Sequence, residues 1–400
     1  MLQGKTIVIG VSGGIAAYKA VDIASRMVKQ GAKVRVIMTR AACELVRPIT
    51  FQSITHQPVA TDMFSEPPNW NIQHIELATE ADLILVAPAT YNIIGKVASG
   101  IADDLLTTTI SATKAPVIFA PAMNNRMYEN PIFQVNLRKL QEMDYTFIEP
   151  EVGRLAEGSS GKGRLADNEI IIEEVIRALT PKDLAGMRLL VTAGPTQEFI
   201  DPVRVLTNPS SGKMGYAIAQ AALRRGAQVT LISGPTQLKT PWGLNELVKI
   251  STTREMLDAV VKRCLDNDVI IKAAAPMDFR PKETYKMKVK KEEKKELVLA
   301  LERNEDILEE IGRKKGDRIL VGFAAETENI VANAQEKLKR KYLDFIVAND
   351  VSAEGSGFGV DSNQATLVFP DSYESLPPTT KLDLGNRILS EVQKLRREIK

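Results

Sequence analysis

A strand–loop–helix–strand pattern opens twice along this chain, and that repetition constrains its fold more than any other feature. Residues 6–11 form an apolar run, residues 12–14 read Ser-Gly-Gly, residues 16–29 carry apolar side chains at helical spacing, and a second apolar run covers 33–38. Residues 188–192, 208–212 (NPSSG), 213–225 and 228–232 repeat this order. A glycine, Gly31 or Gly226, ends each helical pattern. The sequence therefore predicts two doubly wound α/β units with mainly parallel sheets, each with a nucleotide-type site at the start of its first helix.

Length and composition agree with two globular domains. The chain has 400 residues, which is long for one hydrophobic core, and we predict domains at 1–180 and 186–400. Its net charge of +2 gives no bias toward nucleic acid or anionic membranes. Two cysteines and two histidines, widely spaced, argue against a structural zinc site. The start of the chain lacks a signal-peptide pattern and no apolar run reaches membrane-spanning length, so a cytoplasmic location is predicted.

In the first half, polar or glycine-bearing turns follow four of the predicted strands. The strands are predicted at 6–11, 33–38, 82–87, 116–120 and 146–148, and the turns at 12–14 (SGG), 39–40 (TR), 87–90 (APAT) and 121–124 (PAMN). Gly13 and Gly14 would let backbone N–H groups approach an anion, although a tight turn explains them equally well. The absence of a GxGxxG motif, and of an acidic residue after the second strand, favours a mononucleotide over a dinucleotide site.

His74 begins a short predicted helix before the strand at 82–87. Histidine side chains titrate near neutral pH, so this one could take a proton from a thiol or a carboxylic acid. A polar residue at a helix start without a catalytic role is the alternative, and it is the commoner case for a lone histidine. Asn124 is open to the same two interpretations, as a ligand-binding residue or as a turn former.

Five segments of the first half, in this order, resemble the flavoprotein cysteine decarboxylases: 13–19 (GGIAAYK), 74–78 (HIELA), 87–92 (APATYN), 100–106 (GIADDLL) and 121–128 (PAMNNRMY). The last differs from the family's signature in having Tyr128 where tryptophan is usual. The resemblance implies a flavodoxin-like or Rossmann-like flavoprotein that binds FMN between subunits of a trimer-based assembly and oxidatively decarboxylates a cysteine. It implies that His74 is the catalytic base and that Asn124 binds the substrate carboxylate. The residues it implies at the FMN are Ser12, Gly13, Gly14, Ile15, Thr39, Pro88, Ala89, Thr90 and Met123.

In this chain, the segment that corresponds to the family's flap over the substrate departs from the usual family pattern. Family members commonly carry an Ala-Cys-Gly-Asp segment whose cysteine returns a proton to the product. Residues 155–164 (LAEGSSGKGR) fill that place, with Glu157 at the cysteine position. We predict a mobile, glycine-rich flap in which Glu157 donates the proton when burial keeps it protonated, or in which solvent or another side chain does so.

The second half has the same alternating pattern. Strands are predicted at 188–192, 228–232, 247–250, 269–273, 318–322 and 345–348, helices at 253–267 and 329–342, an extra strand pair within 361–370, and a closing helix at 381–399. Five lysines lie among positions 286–291 and 294. This segment, and the pair Lys337 and Lys341, suit triphosphate neutralisation, but from the residues alone a solvated hairpin is the favoured interpretation of the segment, and a solvated helix face stays open for the pair.

Eight segments of this half resemble the CTP-using phosphopantothenate–cysteine ligases: 192–196 (TAGPT), 201–204 (DPVR), 208–215 (NPSSGKMG), 277–281 (MDFRP), 288–291 (KVKK), 304–307 (NEDI), 321–327 (VGFAAET) and 348–351 (ANDV). The resemblance implies a Rossmann-like ligase that uses CTP and Mg²⁺. It implies that Asn208 holds the acyl phosphate region, that Lys288 stabilises negative charge as the cysteine amine displaces CMP, and that Arg204 takes part. The residues it implies at the CTP are Ala274, Ala275, Pro276, Asp278, Lys288, Asn304, Glu305, Asp306, Ile307, Phe323, Lys337 and Lys341.

Both resemblances, in this order on one chain, are those of the bifunctional coenzyme A biosynthesis proteins. They imply ligation of L-cysteine to 4′-phosphopantothenate followed by decarboxylation to 4′-phosphopantetheine. They also imply a homo-oligomer, a trimer-based decarboxylase core with dimerising ligase domains that reaches a dodecamer. Two other classes stay open from the sequence: a nicotinamide dehydrogenase, and a flavin-storing or regulatory protein without turnover.

Overall fold

The computed structural model describes residues 2–64, 72–154, 158, 160–290, 296–326, 329–350 and 362–399. The chain divides into two compact units, Met1–Thr180 and Pro181–Lys400. Each unit has its own sheet and its own buried apolar clusters. Within the described ranges, no helix combines the length and the apolar character needed to cross a membrane.

The first unit alternates strands and helices. Its strands are β1 (Thr6–Val11), β2 (Lys33–Met38), β3 (Val59–Ala60), β4 (Leu83–Ala89), β5 (Val117–Pro121), β6 (Thr146–Phe147), β7 (Glu151–Arg154) and β8 (Ser160–Arg164). Its helices are α1 (Ala17–Lys29), α2 (Arg40–Cys43), α3 (Pro48–Thr55), α4 (Gln73–Glu80), α5 (Tyr91–Ala98), α6 (Leu105–Ala112), α7 (Asn125–Tyr128), α8 (Pro131–Gln141) and α9 (Asn168–Leu179).

Six of these strands form one parallel sheet in the order β3-β2-β1-β4-β5-β6. The sheet has apolar clusters on both faces: α1 and α9 cover one, and α5, α6 and α8 the other. Covering both faces explains why β4 is a continuous apolar strand that is buried along its whole length. The predicted doubly wound class is confirmed. Strands β7 and β8 form a separate antiparallel pair, which the sequence did not predict.

The second unit contains more strands. These are β9 (Arg188–Ala193), β10 (Gln197–Phe199), β11 (Val205–Thr207), β12 (Gln228–Ser233), β13 (Glu246–Lys249), β14 (Val269–Lys272), β15 (Phe279–Pro281), β16 (Leu301–Arg303), β17 (Ile319–Glu326), β18 (Phe345–Asp350), β19 (Ser362–Asn363), β20 (Ala365–Val368), β21 (Tyr373–Ser375) and β22 (Thr379–Thr380). Its helices are α10 (Lys213–Arg224), α11 (Thr253–Arg263), α12 (Ile307–Gly312), α13 (Ile330–Arg340) and α14 (Lys381–Ile399), with a 3-10 turn at Cys264–Asp266.

The main sheet of this unit is mixed. Its order is β13-β12-β9-β14-β17-β18-β20-β21, parallel as far as β18 and antiparallel from there to β20 and β21. The predicted strand pair within 361–370 is wrong in extent: β20 pairs with β21, because the N–H of Phe369 bonds the carbonyl of Ser372 and turns the chain beyond residue 370. The helix predicted at 253–267 ends at Arg263, whose carbonyl accepts the side-chain amide of Asn267.

Candidate active sites

The first unit contains a cavity of about 960 Å³ at the carboxyl edge of its sheet, called here the first cavity. This edge is where doubly wound sheets bind ligands, and the volume is that of a small-molecule site. Eight of the residues predicted from the sequence line it: Ser12, Gly13, Gly14, Ile15, Thr39, Thr90, Met123 and Asn124. Pro88 and Ala89 are not among its lining residues; they lie just behind, in β4.

Ser12 fixes two loops of the first cavity to each other. Its buried hydroxyl donates to the carbonyl of Pro88 at 2.7 Å, and the N–H of Thr90 donates to its Oγ at 3.0 Å. Gly13 packs so closely that a Cβ there would overlap the Cβ of Ala41. The backbone of residues 12–14 is therefore held against the cavity with no side chain in between, as a phosphate-binding turn requires.

Cations outnumber acids around the first cavity. Among the described residues, five basic side chains line it (Lys19, Arg40, Lys96, Arg154 and Arg164) and one acidic side chain, Asp104. Asp104 lies 3.1 Å from Lys96, which also pairs with Asp103 at 2.7 Å. Burial, and next the charge of Arg164, lower the pKa of Lys19. Such an excess of positive charge favours a ligand that carries phosphate.

His74 is not a lining residue of the first cavity; it lies half-buried on α4. Asn124 lines it, and its Oδ1 accepts the N–H of Arg126 at 2.8 Å, which caps α7. Glu157 lies outside the described residues. Ile15, Tyr18 and Met127 line the cavity although they are 66%, 63% and 44% exposed. The cavity therefore has an open apolar rim that this chain alone leaves in contact with solvent.

The hairpin of β7 and β8 borders the same cavity, where the sequence predicted a flap. The N–H of Met123 donates to the carbonyl of Gly163 at 2.9 Å, and a Cβ on Gly163 would overlap the Met123 carbonyl oxygen. The ammonium of Lys162 lies 5.5 Å from the ring centroid of Tyr128, a cation–π contact. Tyr128 thus has a packing partner on the hairpin, and β8 is held against the loop that carries Asn124.

The second unit contains a cavity of about 390 Å³, called here the second cavity, again at the carboxyl edge of its parallel strands. Twelve of the residues predicted for this half line it: Asn208, Ala274, Ala275, Pro276, Asp278, Asn304, Glu305, Asp306, Ile307, Phe323, Lys337 and Lys341. They come from segments up to about 130 residues apart, and the sheet brings them together. Residues that the sequence resemblance implies at one nucleotide site therefore surround one cavity.

Asn208 connects the loop before α10 to the loop after β14. Its Nδ2 donates to the carbonyls of Ala275 and Pro276 at 3.2 and 3.0 Å. The N–H of Ala275 in turn donates to the carbonyl of Gly194 at 2.9 Å, and the side chain of Asn304 donates to Met277 at 2.9 Å. The wall of the second cavity is therefore cross-linked by hydrogen bonds on both sides of residues 275–277.

Asp306 organises the charges at the other wall of the second cavity. It caps α12 by accepting the N–H groups of Leu308 and Glu309, and it pairs with Lys341 at 2.7 Å. Burial by itself would raise the pKa of the Asp306 carboxyl, but Lys341, the N–H of Glu309 and the charge of Lys272 together hold that pKa below its usual value. Asp306 therefore carries a negative charge that fixes the position of Lys341.

Two predicted residues, Arg204 and Lys288, are not lining residues of the second cavity. Arg204 donates to Asp201 at 2.8 Å and to the carbonyl of Val289 at 2.9 Å, while the N–H of Val289 donates to Asp201 at 3.2 Å. Lys288, next to Val289, is exposed. The structure therefore gives Arg204 a contact that positions the lysine-rich loop, and it leaves Lys288 exposed and outside the lining of the second cavity.

Four cationic residues of the second cavity were missed from the sequence: Lys213, Lys272, Arg303 and Lys381. Lys272 follows three apolar residues and falls inside the strand predicted at 269–273. A charged residue at the end of a buried strand nevertheless indicates a functional site. Within the described ranges, no group of three or more His, Cys, Asp and Glu side chains could hold a metal ion.

Fold and cavities together define a class: a two-domain α/β protein with a cation-rich cavity at the carboxyl edge of the parallel strands in each unit. Residues 1–180 match the family model described as Flavoprotein, and residues 184–395 match the DNA/pantothenate metabolism flavoprotein C-terminal domain. The coenzyme A biosynthesis bifunctional protein CoaBC of Bacillus subtilis (strain 168) is 48% identical over 100% of this chain and 99% of its own length. That of Escherichia coli (strain K12) is 42% identical over 98% of this chain and 97% of its own.

A solved structure of the C-terminal domain of a coenzyme A biosynthesis bifunctional protein CoaBC is 40% identical, covers 54% of this chain and 99% of that chain, and has a TM-score of 0.47. The chain belongs to the family of coenzyme A biosynthesis bifunctional proteins.

Proposed function

We propose that this chain catalyses two successive reactions. The second unit joins L-cysteine to 4′-phosphopantothenate with CTP through an acyl cytidylate, and the first unit decarboxylates 4′-phosphopantothenoylcysteine to 4′-phosphopantetheine with FMN. The observation that carries this is the pair of separate, cation-rich cavities in one chain of this family. Incubating the protein with phosphopantothenate, cysteine and CTP should yield CMP, pyrophosphate and carbon dioxide in equal amounts. Nucleotide cleavage without an amide product would contradict the proposal.

In the ligase reaction, the substrate carboxylate attacks the α-phosphorus of CTP and pyrophosphate leaves. The cysteine amine then attacks the acyl carbon, loses a proton, and CMP leaves. Lys337 and Lys341 would neutralise the phosphates, and Asn208 would hold the acyl phosphate region beside the loop that it fixes. Mg²⁺ suits this site because it usually binds substrate phosphates and water with only one or two carboxylates, and Asp278 lines the cavity.

In the decarboxylase reaction, bound FMN would supply a two-electron oxidation of the substrate thiol and, once carbon dioxide has left, return both electrons to the product, which is again a thiol. The excess of cations and the bare backbone at Gly13 suit its phosphate, and the open apolar rim suits its ring. Asn124 would hold the substrate carboxylate through its side-chain N–H₂, because an amide nitrogen donates hydrogen bonds and a carboxylate accepts them. His74 would take the thiol proton, and Glu157 would return one to the product.

His74 does not reach the first cavity of its own chain, so its role requires a second copy. The exposed apolar residues at the cavity rim, Ile15, Tyr18 and Met127, supply a surface for that copy. The same reasoning applies to Lys288 in the second unit, which dimerising ligase domains would bring to a partner's cavity. A trimer-based core that reaches a dodecamer, and a cytoplasmic location, are further parts of the proposal.

Gly13→Ala is expected to purify with at least about tenfold less FMN, because the added methyl overlaps Ala41 and displaces the phosphate-binding turn. The ratio of flavin absorbance to protein measures this. Gly95→Ala is the matched control, since a Cβ there meets only the Asn136 side chain, at 3.9 Å. Full FMN content in Gly13→Ala would remove residues 12–14 from the FMN site.

Arg204→Met is expected to slow amide formation about tenfold while leaving acyl cytidylate formation unchanged, because it releases the Val289 carbonyl and loosens the loop that carries Lys288. Quenched-flow mass spectrometry separates the two steps, and limited proteolysis within 282–290 should become faster. Arg313→Met removes an exposed ion pair, with Glu309, outside this loop, and serves as the control. Loss of cytidylate formation in Arg204→Met would instead place Arg204 in the first half-reaction.

A further inference from the structure

Lys272 ends β14 at the floor of the second cavity. Along this strand, Val269 and Ile271 pack into the apolar cluster on one face of the sheet, and Ile270 packs into the cluster on the other face. By this alternation Lys272 lies on the same face as Ile270, below α12 and α13. Its side chain is half-buried and lines the cavity.

The surroundings of Lys272 contain charges but no direct partner. Lys341, Asp306, Asp278 and Lys337 are the charged groups that act on it, from α12, from α13 and from the loop after β14. Asp306, the acid with the larger electrostatic effect on Lys272, is already paired with Lys341 at 2.7 Å. Within the part of the chain that the structure describes, the Lys272 ammonium makes no hydrogen bond and no ion pair. A cation held in this way inside a cavity either loses its proton or is balanced by an anion from outside the chain.

Burial, and next the charge of Lys341, lower the pKa of Lys272 to about 8, against the opposing effect of Asp306 and Asp278. In the empty cavity, therefore, Lys272 loses much of its positive charge as the pH passes 8. A polyphosphate beside it would favour the charged form and raise the pKa again.

Resting on the nucleotide site proposed above, we infer that Lys272 is a further phosphate ligand of the second cavity, and that the incoming triphosphate restores its ammonium charge by drawing a proton from solvent. Binding and protonation are then linked. Above pH 8 each binding event includes the uptake of a proton by the Lys272 amine, so affinity falls as the pH rises. Below about pH 7 the ammonium is already charged and the dependence disappears.

The expected change in CTP affinity follows from the coupling between nucleotide binding and protonation of Lys272. If the bound nucleotide raises the pKa of Lys272 by two units, CTP binds about tenfold more weakly at pH 9 than at pH 7. Arginine stays charged at both pH values, so Lys272→Arg should retain binding at pH 7 and lose the dependence. Lys272→Met, which has nearly the same length without charge, should bind CTP at least about tenfold more weakly at pH 7 and also lose the dependence.

Calorimetric titration of MgCTP into the whole protein tests this, at pH 7 and pH 9 and in buffers of different ionisation enthalpy, which reveals the protons taken up. Lys249→Met, an exposed lysine at the end of β13, is the matched control and should behave as wild type. An unchanged temperature of thermal unfolding shows that a variant is folded. If Lys272→Met is not folded, the pH dependence of CTP binding by Lys272→Arg tests the inference.

Three outcomes overturn the inference: proton uptake that persists in Lys272→Arg, wild-type affinity in Lys272→Met at pH 7, or a wild-type affinity that is the same at both pH values. Titration with cytidine separates this test from the proposed function. Because cytidine has no phosphate, its binding should neither depend on pH nor weaken in Lys272→Met. A wild-type protein that binds no CTP at either pH contradicts the nucleotide site itself. One that binds CTP without using Lys272 contradicts only the inference.

Discussion

His74→Asn is expected to lower carbon dioxide release from 4′-phosphopantothenoylcysteine by about 10²–10⁴-fold, the usual contribution of a general base. Bound FMN and CTP-dependent amide formation should stay at wild-type levels. FMN should stay because His74 is proposed to act on the substrate thiol and is not among the residues proposed to hold FMN. Amide formation should stay because the residues proposed for the ligase lie in the other compact unit. Labelled carbon dioxide, flavin absorbance and CMP release report the three properties on one preparation.

The matched control for this variant is His56→Asn. His56 is the other histidine of the chain, and it ends α3 in a left-handed conformation (φ +52°) that asparagine tolerates well. It should therefore fold and release carbon dioxide at the wild-type rate. Near-normal decarboxylation by His74→Asn would leave His74 with only the role of a polar residue at a helix start.

Asn208→Asp is expected to lower acyl cytidylate formation by at least about 100-fold. The substitution replaces an N–H₂ group that donates to the carbonyls of Ala275 and Pro276 with a carboxylate that repels both, and it adds a negative charge where phosphate should bind. Lys288→Gln should instead let the acyl cytidylate accumulate while amide formation falls by about 10²–10³-fold, since a cation that stabilises developing charge is lost. Mass spectrometry of quenched reactions distinguishes the two patterns.

Lys286→Gln tests whether the position of the charge matters, because Lys286 lies on the same loop and is equally exposed. It should form the amide at close to the wild-type rate. Equal loss of cytidylate and amide in both the Asn208 and Lys288 variants would show that the two residues act in the same step. If Lys286→Gln forms the amide as slowly as Lys288→Gln, the loop acts through its overall positive charge and not through the position of Lys288.

The parallel strands were predictable because each is a short apolar run with helices on both sides. The run at 82–87, for instance, became the fully buried β4. Cavity-lining residues in the loops between strands and helices, such as Ser12 and Asn208, were predictable for the related reason that loops at one edge of a parallel sheet meet. The antiparallel addition of β20 was only partly predictable: a strand pair was expected within 361–370, but β20 pairs with β18 on one side and with β21, beyond Pro370, on the other.

Contacts between distant segments could not be predicted from the sequence, because no local pattern relates one segment to the other. Nothing near Arg204 in the chain shows that its guanidinium reaches the carbonyl of Val289, 85 positions away. Lys272 reads as one charged residue in an apolar strand until α12 and α13 place Asp306 and Lys341 beside it. The location of His74 away from the first cavity is likewise a property of how α4 packs, because helical spacing alone does not say which ligand a residue faces.

The boundary at Thr180 and Pro181 has a consequence for how the two proposed activities are supplied. Because both compact units are translated from one message as one polypeptide, the cell makes them in equal numbers at every level of expression. A change in promoter strength scales both reactions together, and neither can be induced alone. Since each unit has its own buried core, cutting the gene at this boundary and expressing the halves from separate promoters would free their ratio and show which of the two steps limits flux.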